Sequence, residues 1–190
     1  ASRRAELLPT TMTSTRQQIR FVQSSDGVRL AYARTGRGPT VIKAATWLSH
    51  LEHDWTSPVW RHVLDALGEQ QSFVRYDERG CGLSDWLLPD LSFDSWLRDL
   101  EAVADTVEAP RFALLGISQG ASIAIAYAVK HPERVSRLVL HGGYARGRHK
   151  RGASPAALQE AETMIQLAEI GWGRSDDAFR QFFTSQFIPG

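Results

Sequence analysis

Gly116-Ile117-Ser118-Gln119-Gly120 lies between a short apolar run, Phe112-Ala113-Leu114-Leu115, and a small-residue segment that reads as a helix from Ala121 to about Lys130. A serine with glycines two residues to either side, between a strand and a helix, is the pattern of a nucleophile elbow. The backbone turns sharply there and neighbouring segments crowd it, which is why Gly116 and Gly120 are needed. Ser118 is thereby pushed out on a strained turn with its hydroxyl exposed above the sheet.

An elbow serine needs a base to take its proton and an acid to orient that base. In elbow proteins the acid and then the histidine follow the serine along the chain. The histidines after Ser118 are His131, His141 and the surface-type His149. His131 sits at the polar end of the post-elbow helix and His141 ends the next expected strand. Neither is followed by the strand and helix that would present a catalytic histidine. Gly142-Gly143-Tyr144-Ala145-Arg146 offers no Asp or Glu. The expectation is a chain cut before its acid and base, with the triad incomplete within it.

The flanking sequence fits such a scaffold. Residues 1–17 read as a linker or upstream tail. Ile19–Val22 and Val28–Ala33 alternate around the Asp26-Gly27 turn signal, as a hairpin does. Strands are expected at 41–45, 73–76, 112–115 and 135–140. Helices are expected from Pro58 to about Leu67, after the Ser92 cap (with Phe93, Trp96, Leu97, Leu100 and Val103 on one face), at 155–170 and at 177–187. Strands alternating with helices from about residue 40 predict an α/β fold with a mostly parallel sheet and helices on both faces. The opening hairpin would be its antiparallel edge.

Composition narrows the function classes. A net charge of +1 points to neither nucleic acid nor an acidic membrane surface. The short basic clusters Arg3-Arg4 and Arg146 to Arg151 lack interleaved aromatics and read as solvated loop. Cys81 is the one cysteine, so an internal disulfide is excluded and a reducing, cytoplasmic setting is expected. No run approaches the ~18 apolar residues of a membrane span. No secretory signal is visible and the first residue is not Met, so the chain is expected to begin inside a longer product or after processing.

Ligands of such sheets bind beyond the carboxyl ends of the strands. Attack by Ser118 on an acyl carbonyl creates an oxyanion, which two backbone amides should hold. One is Gln119, next to the nucleophile. The other is expected from the loop after strand 41–45, at Trp47. In Tyr76-Asp77-Glu78-Arg79-Gly80-Cys81-Gly82-Leu83-Ser84-Asp85, Asp77, Arg79 and Asp85 invite a chemical role. The preferred reading is a scaffold loop, in which Asp77 accepts backbone N–H groups and Arg79 pairs with Asp77. Nothing is aimed at Cys81 to make it a nucleophile. His50, His53 and Asp54 are too loosely spaced for a metal site and read as pocket wall or plain surface. Trp47, Trp55 and Trp60 are expected to pack under this loop, with a place in the pocket wall open to one of them. No metal or cofactor is expected.

The Asp77-x-Arg79-Gly80-x-Gly82-x-Ser84 stretch and the Gly116–Gly120 elbow resemble landmarks of the α/β-hydrolase superfamily, from about residue 18 onward. The usual His-Gly of the first loop is here Ala45-Thr46. Trp47-Leu48-Ser49-His50-Leu51-Glu52, Ser57-Pro58-Val59-Trp60 and the tail from Phe182 to Gly190 look like a bacterial subgroup. In that subgroup the hydrolase domain is fused to an adenylate cyclase or a LuxR-type DNA-binding domain. The resemblance implies that residues 18–152 are the N-terminal part of the core and 153–190 the start of a helical cap. The core strands with the Asp and His would lie beyond Gly190. It further implies serine hydrolase chemistry on a small ester, lactone or amide, near-absent in this piece alone. Haloalkane- and epoxide-type enzymes are disfavoured because they carry Asp at the elbow; a metal-free peroxidase on the same serine scaffold stays open. The rival reading is a non-catalytic sensor that binds a small acyl or apolar ligand and signals to a fused effector.

Overall fold

The computed structural model describes residues 16–147, 150, 152–175 and 177–185. The expected linker at 1–17 (all but its last two residues), His149 and the end of the tail lie outside these. The chain divides into two compact units, one running to Tyr144 and the other starting at Ala145.

The first unit is built on a six-stranded sheet. Its strands are β1 (Gln18–Gln23), β2 (Arg29–Thr35), β3 (Thr40–Lys43), β4 (Ser72–Tyr76), β5 (Phe112–Ile117) and β6 (Val135–His141). The order across the sheet is β1-β2-β4-β3-β5-β6. β1–β2 and β2–β4 are antiparallel, and β4, β3, β5 and β6 run parallel. The opening hairpin is therefore the antiparallel edge, as its Asp-Gly turn and alternation predict. From β3 the chain steps to β4 on one side and then crosses to β5 on the other. The crevice at such a switch point, outside the carboxyl ends of the strands, is where ligands of open α/β sheets bind.

Strand position sets strand composition. β4, with neighbours on both sides, is buried along its whole length. The edge strand β1 buries no residue fully. On β2 the side chains alternate between two cores: Leu30 faces one cluster with Ile42, Val74, Leu100, Phe112, Leu114 and Ile123, while Ala31 and Ala33 face another with Leu51. Helices thus cover both faces. α3 (Phe93–Asp105) and α4 (Gln119–Lys130) lie on the first, and α1 (Leu51–Thr56) and α2 (Arg61–Gln70) on the second.

Three details differ from the sequence reading. Between strand 41–45 and Pro58, where no helix is expected, lies α1, capped by His50, whose Nδ1 accepts from the His53 amide at 3.4 Å. Imidazole is an uncommon cap, so the usual start signal is missing. Pro58 precedes α2 instead of opening it, because a turn over Pro58–Trp60 intervenes. Ser92 does cap α3, in a reciprocal box with Ser95. Yet α3 buries Ser95 and Asp99 beside Leu100 and Val103 and leaves Phe93 exposed. The helix is turned so that Asp99 meets a buried arginine.

The second unit holds two helices, α5 (Pro155–Gly171) and α6 (Asp177–Ser185). Ser154 caps α5 and Pro155 opens it. Trp172 meets Phe183 edge-on at 5.5 Å, and Leu167, Ile170, Phe179 and Phe182 line a groove of about 340 Å³ between the helices.

Candidate active site

β5 ends at Ile117 and α4 begins at Gln119, so one residue makes the turn between them. That residue, Ser118, has φ +51° and ψ −120°. A side chain at such angles is strained by about 1–3 kcal/mol and is held there only by its surroundings. The surroundings are backbone hydrogen bonds on both sides. The Ser118 amide donates to the His141 carbonyl at 2.9 Å, and its carbonyl accepts from the Ala121 amide at 3.1 Å. Ser118 is exposed and its hydroxyl does not cap the helix it precedes. The sharp turn between strand and helix that the sequence predicts is there, centred on Ser118.

Close approach explains both glycines. A Cβ on Gly116 would fall 2.6 Å from the Ala121 Cα, and one on Gly120 2.8 Å from the Ala45 carbonyl oxygen. The first lets α4 settle on β5. The second lets the elbow abut the loop that follows β3.

That loop carries Trp47. Its amide donates to Gln119 Oε1 at 3.3 Å, so the two residues expected to hold an oxyanion are brought together beside Ser118. Leu48, the next residue, has φ +64°. Ser118 and Leu48 are the two non-glycine residues with positive φ among those described, and each adjoins one of the expected donors. The Gln119 amide also lies at the N-terminus of α4, where N–H groups lack helical acceptors and the dipole favours negative charge.

The loop after β4 closes this side of the site. Glu78 is buried, accepts from Gln119 Nε2 at 3.1 Å, and donates its own amide to Ser49 Oγ at 2.9 Å. Burial pushes its carboxyl up to about 7. Below lies a charged group: Arg75 donates to Asp54 at 3.1 Å and to the Leu51 carbonyl at 2.8 Å. Burial brings the neighbouring Lys43 ammonium down to about 8. Neither Glu78 nor Lys43 stands out in the sequence. Their partners are remote along the chain, and only the register of β3 and β4 brings them near the elbow.

Asp77 plays the expected scaffold part, accepting from the Leu83 amide at 2.9 Å and the Leu51 amide at 3.3 Å. Arg79 does not pair with it. Its buried guanidinium forks onto Asp99 at 2.6 and 2.7 Å and onto Asp26 at 2.8 and 3.2 Å, and reaches the Asp90 carbonyl at 2.9 Å. The side chain points away from Asp77, toward the β1–β2 turn and α3. Asp85 binds the Arg29 amide at 2.9 Å, far from any acid role. Cys81 is half-buried, and burial raises its thiol.

The histidines do not complete a triad among the described residues. His131, at the opposite end of α4 from Ser118, binds Glu101 at 2.6 Å and stacks near Tyr127. His141 reaches Ser118 through its backbone carbonyl. The rings of His50, the cap, and His53 of α1 lie 4.2 Å apart, tilted by 59°. Among the described residues no group of three or more His, Cys, Asp or Glu side chains is arranged to hold a metal. No helix among them is long and apolar enough to cross a membrane.

Sheet order, elbow and first-loop amide together define a class, and sequence comparison agrees: the alpha/beta hydrolase fold matches residues 45–188. The chain belongs to the α/β-hydrolase fold family. It is 33% identical over 148 residues to a pimeloyl-[acyl-carrier protein] methyl ester esterase of Nitrosomonas europaea, covering 78% of this chain and 48% of that protein. It is 33% identical over 127 residues to a cis-3-alkyl-4-alkyloxetan-2-one decarboxylase of Shewanella oneidensis, covering 64% and 37%. The chain thus spans between a third and a half of the length of these relatives. The crystal structure of a hydrolase from Pseudomonas aeruginosa superposes with a TM-score of 0.62 at 23% identity, over 87% of this chain and 65% of that one.

Proposed function

We propose that Ser118 is the nucleophile of a serine hydrolase acting on a small ester, lactone or amide. The observation that carries this is the backbone of Ser118, strained at φ +51° between β5 and α4 with the side chain exposed beside Trp47 and Gln119. Strain of this kind persists where the fold over-determines it, and it aims the hydroxyl at the crevice. Similarity to an esterase supports acyl chemistry.

Ser118 Oγ attacks the carbonyl carbon and gives its proton to a histidine. The carbonyl electron pair moves to oxygen, where the Trp47 and Gln119 amides receive the negative charge. The intermediate collapses, the C–O or C–N bond breaks, and the histidine protonates the leaving alcohol or amine. Water then hydrolyses the Ser118 ester by the same route. Among the described residues no histidine and acid complete a triad with Ser118, and this reading takes the pair from chain other than the residues described. Leu138 and Leu140 on one face of β6 and Val139 on the other, each between 39% and 52% exposed, support this reading, because they leave apolar area on both faces of this sheet edge that further core would cover.

A fluorophosphonate probe applied to the complete gene product tests the reading. Labelling that disappears in Ser118→Ala supports the enzyme. Labelling of neither protein overturns it and favours a ligand-binding sensor.

A further inference from the structure

Three loops meet at Gln119, and one residue ties them together. The Gln119 carboxamide accepts from the Trp47 amide with Oε1 and donates to Glu78 Oε2 with Nε2. Glu78 also holds the same loop through its backbone, by donating to Ser49 Oγ. The segment so held, Trp47 to Ser49, includes the strained Leu48 and has an exposed tip. Cys81 meets it as well, through backbone hydrogen bonds from Leu48 and Ser49.

The orientation of the carboxamide follows from donor and acceptor counts. An ionised carboxylate only accepts and a backbone N–H only donates. One orientation of Gln119 satisfies both, with its nitrogen toward Glu78 and its oxygen toward Trp47. Turning it over sets oxygen against oxygen and N–H against N–H. Glu78 therefore fixes which atom Trp47 meets, and with it where the Trp47 N–H is aimed. When a substrate oxyanion forms, its charge-assisted bond is the stronger one and displaces the neutral amide oxygen from Trp47. The donor is then already in place, which is what oxyanion stabilisation requires.

We infer that Glu78 is a positioning residue, which acts through the Gln119 side chain to hold the Trp47 amide toward the oxyanion position. This rests on the reading of Ser118 as nucleophile. Burial raises the Glu78 carboxyl to about 7; Gln119 opposes this, Asp99 adds to it, and Lys43 and Arg79 oppose it. The tie is thus strongest above neutral pH, where Glu78 is ionised.

The test uses the complete gene product with E78L, E78Q and Gln119→Ala, each checked by thermal melting. Amide hydrogen exchange at Trp47 is read by NMR, and Ser118 labelling by a fluorophosphonate. E78L and Gln119→Ala should lose protection at Trp47, and E78L should label about tenfold more slowly, since a misaimed donor costs part of what a deleted one does. E78Q still accepts from Gln119 and should recover most of both. The Trp47 protection factor should rise through about pH 7 in the wild type and stay flat in E78Q. Unchanged Trp47 protection in E78L overturns the inference. So does a labelling loss that E78Q fails to recover, or lost protection with labelling unchanged. If the wild type does not label, the Ser118 reading falls and the functional half of this inference with it; exchange at Trp47 still decides whether Glu78 holds the amide.

Discussion

Gly120 and Ala45 stand so close that a Cβ on the glycine would lie 2.8 Å from the Ala45 carbonyl oxygen. The elbow and the Trp47 loop are in register because nothing occupies that space. Gly120→Ala must push them apart, since the obstructing atoms are backbone and cannot rotate away. Overpacking of this kind costs about 1–3 kcal/mol. Urea denaturation should show the loss, and Ser118 labelling should fall further than the change in stability accounts for.

Ser118 offers the opposite trade. At φ +51° any residue with a Cβ is strained, whereas glycine is not. Ser118→Gly should abolish labelling and raise stability by about 1 kcal/mol. A less stable variant would show that the serine side chain makes native contacts that outweigh its backbone strain.

Arg79 is fully buried and holds two carboxylates. Removing one side of such a pair leaves the other charge buried and unmatched, a loss of about 3–5 kcal/mol. Arg79→Met should lower the urea midpoint accordingly. Asp99→Asn should do so less, because Asp26 continues to pair with Arg79. Equal effects would place all the energy in the Arg79–Asp99 pair.

Asp26 gives a pH dependence. Its hydrogen bond with Arg79 holds the carboxyl at about 2, below its ordinary value of 3.8. A depressed folded value means that the stabilisation is fully present above about pH 4 and is lost as pH falls through 2. Solvent screening at this partly exposed carboxyl keeps the contribution to about 1 kcal/mol. Denaturation between pH 2 and 5 should show that slope in the wild type and a reduced one in Asp26→Asn.

These contacts also mark where the sequence stops being readable. The elbow is legible because its signal is local: two glycines, a serine, a strand before and a helix after. The hairpin, the mostly parallel character of the sheet and the Ser92 cap are legible for the same reason. Arg79 is not, because Asp26 and Asp99 lie 53 and 20 residues away, whereas Asp77 is close by in sequence. Glu78 is hidden for a like reason, 41 residues from Gln119. α1 is missed because imidazole supplies its cap. The positions of Trp47 and Gln119 follow from the loop pattern, but the side-chain bond between them depends on the Gly120 approach.

The most direct measurement is the mass of the complete gene product, quenched in acid after mixing with an activated acetyl ester. The expected result is a rapid gain of one acetyl group, mapped to the peptide holding Ser118 and absent in Ser118→Ala. The same treatment of residues 1–190 alone should leave Ser118 largely unmodified. Acetylation of the complete protein at some other residue, or none at Ser118, contradicts the assignment of Ser118 as the nucleophile.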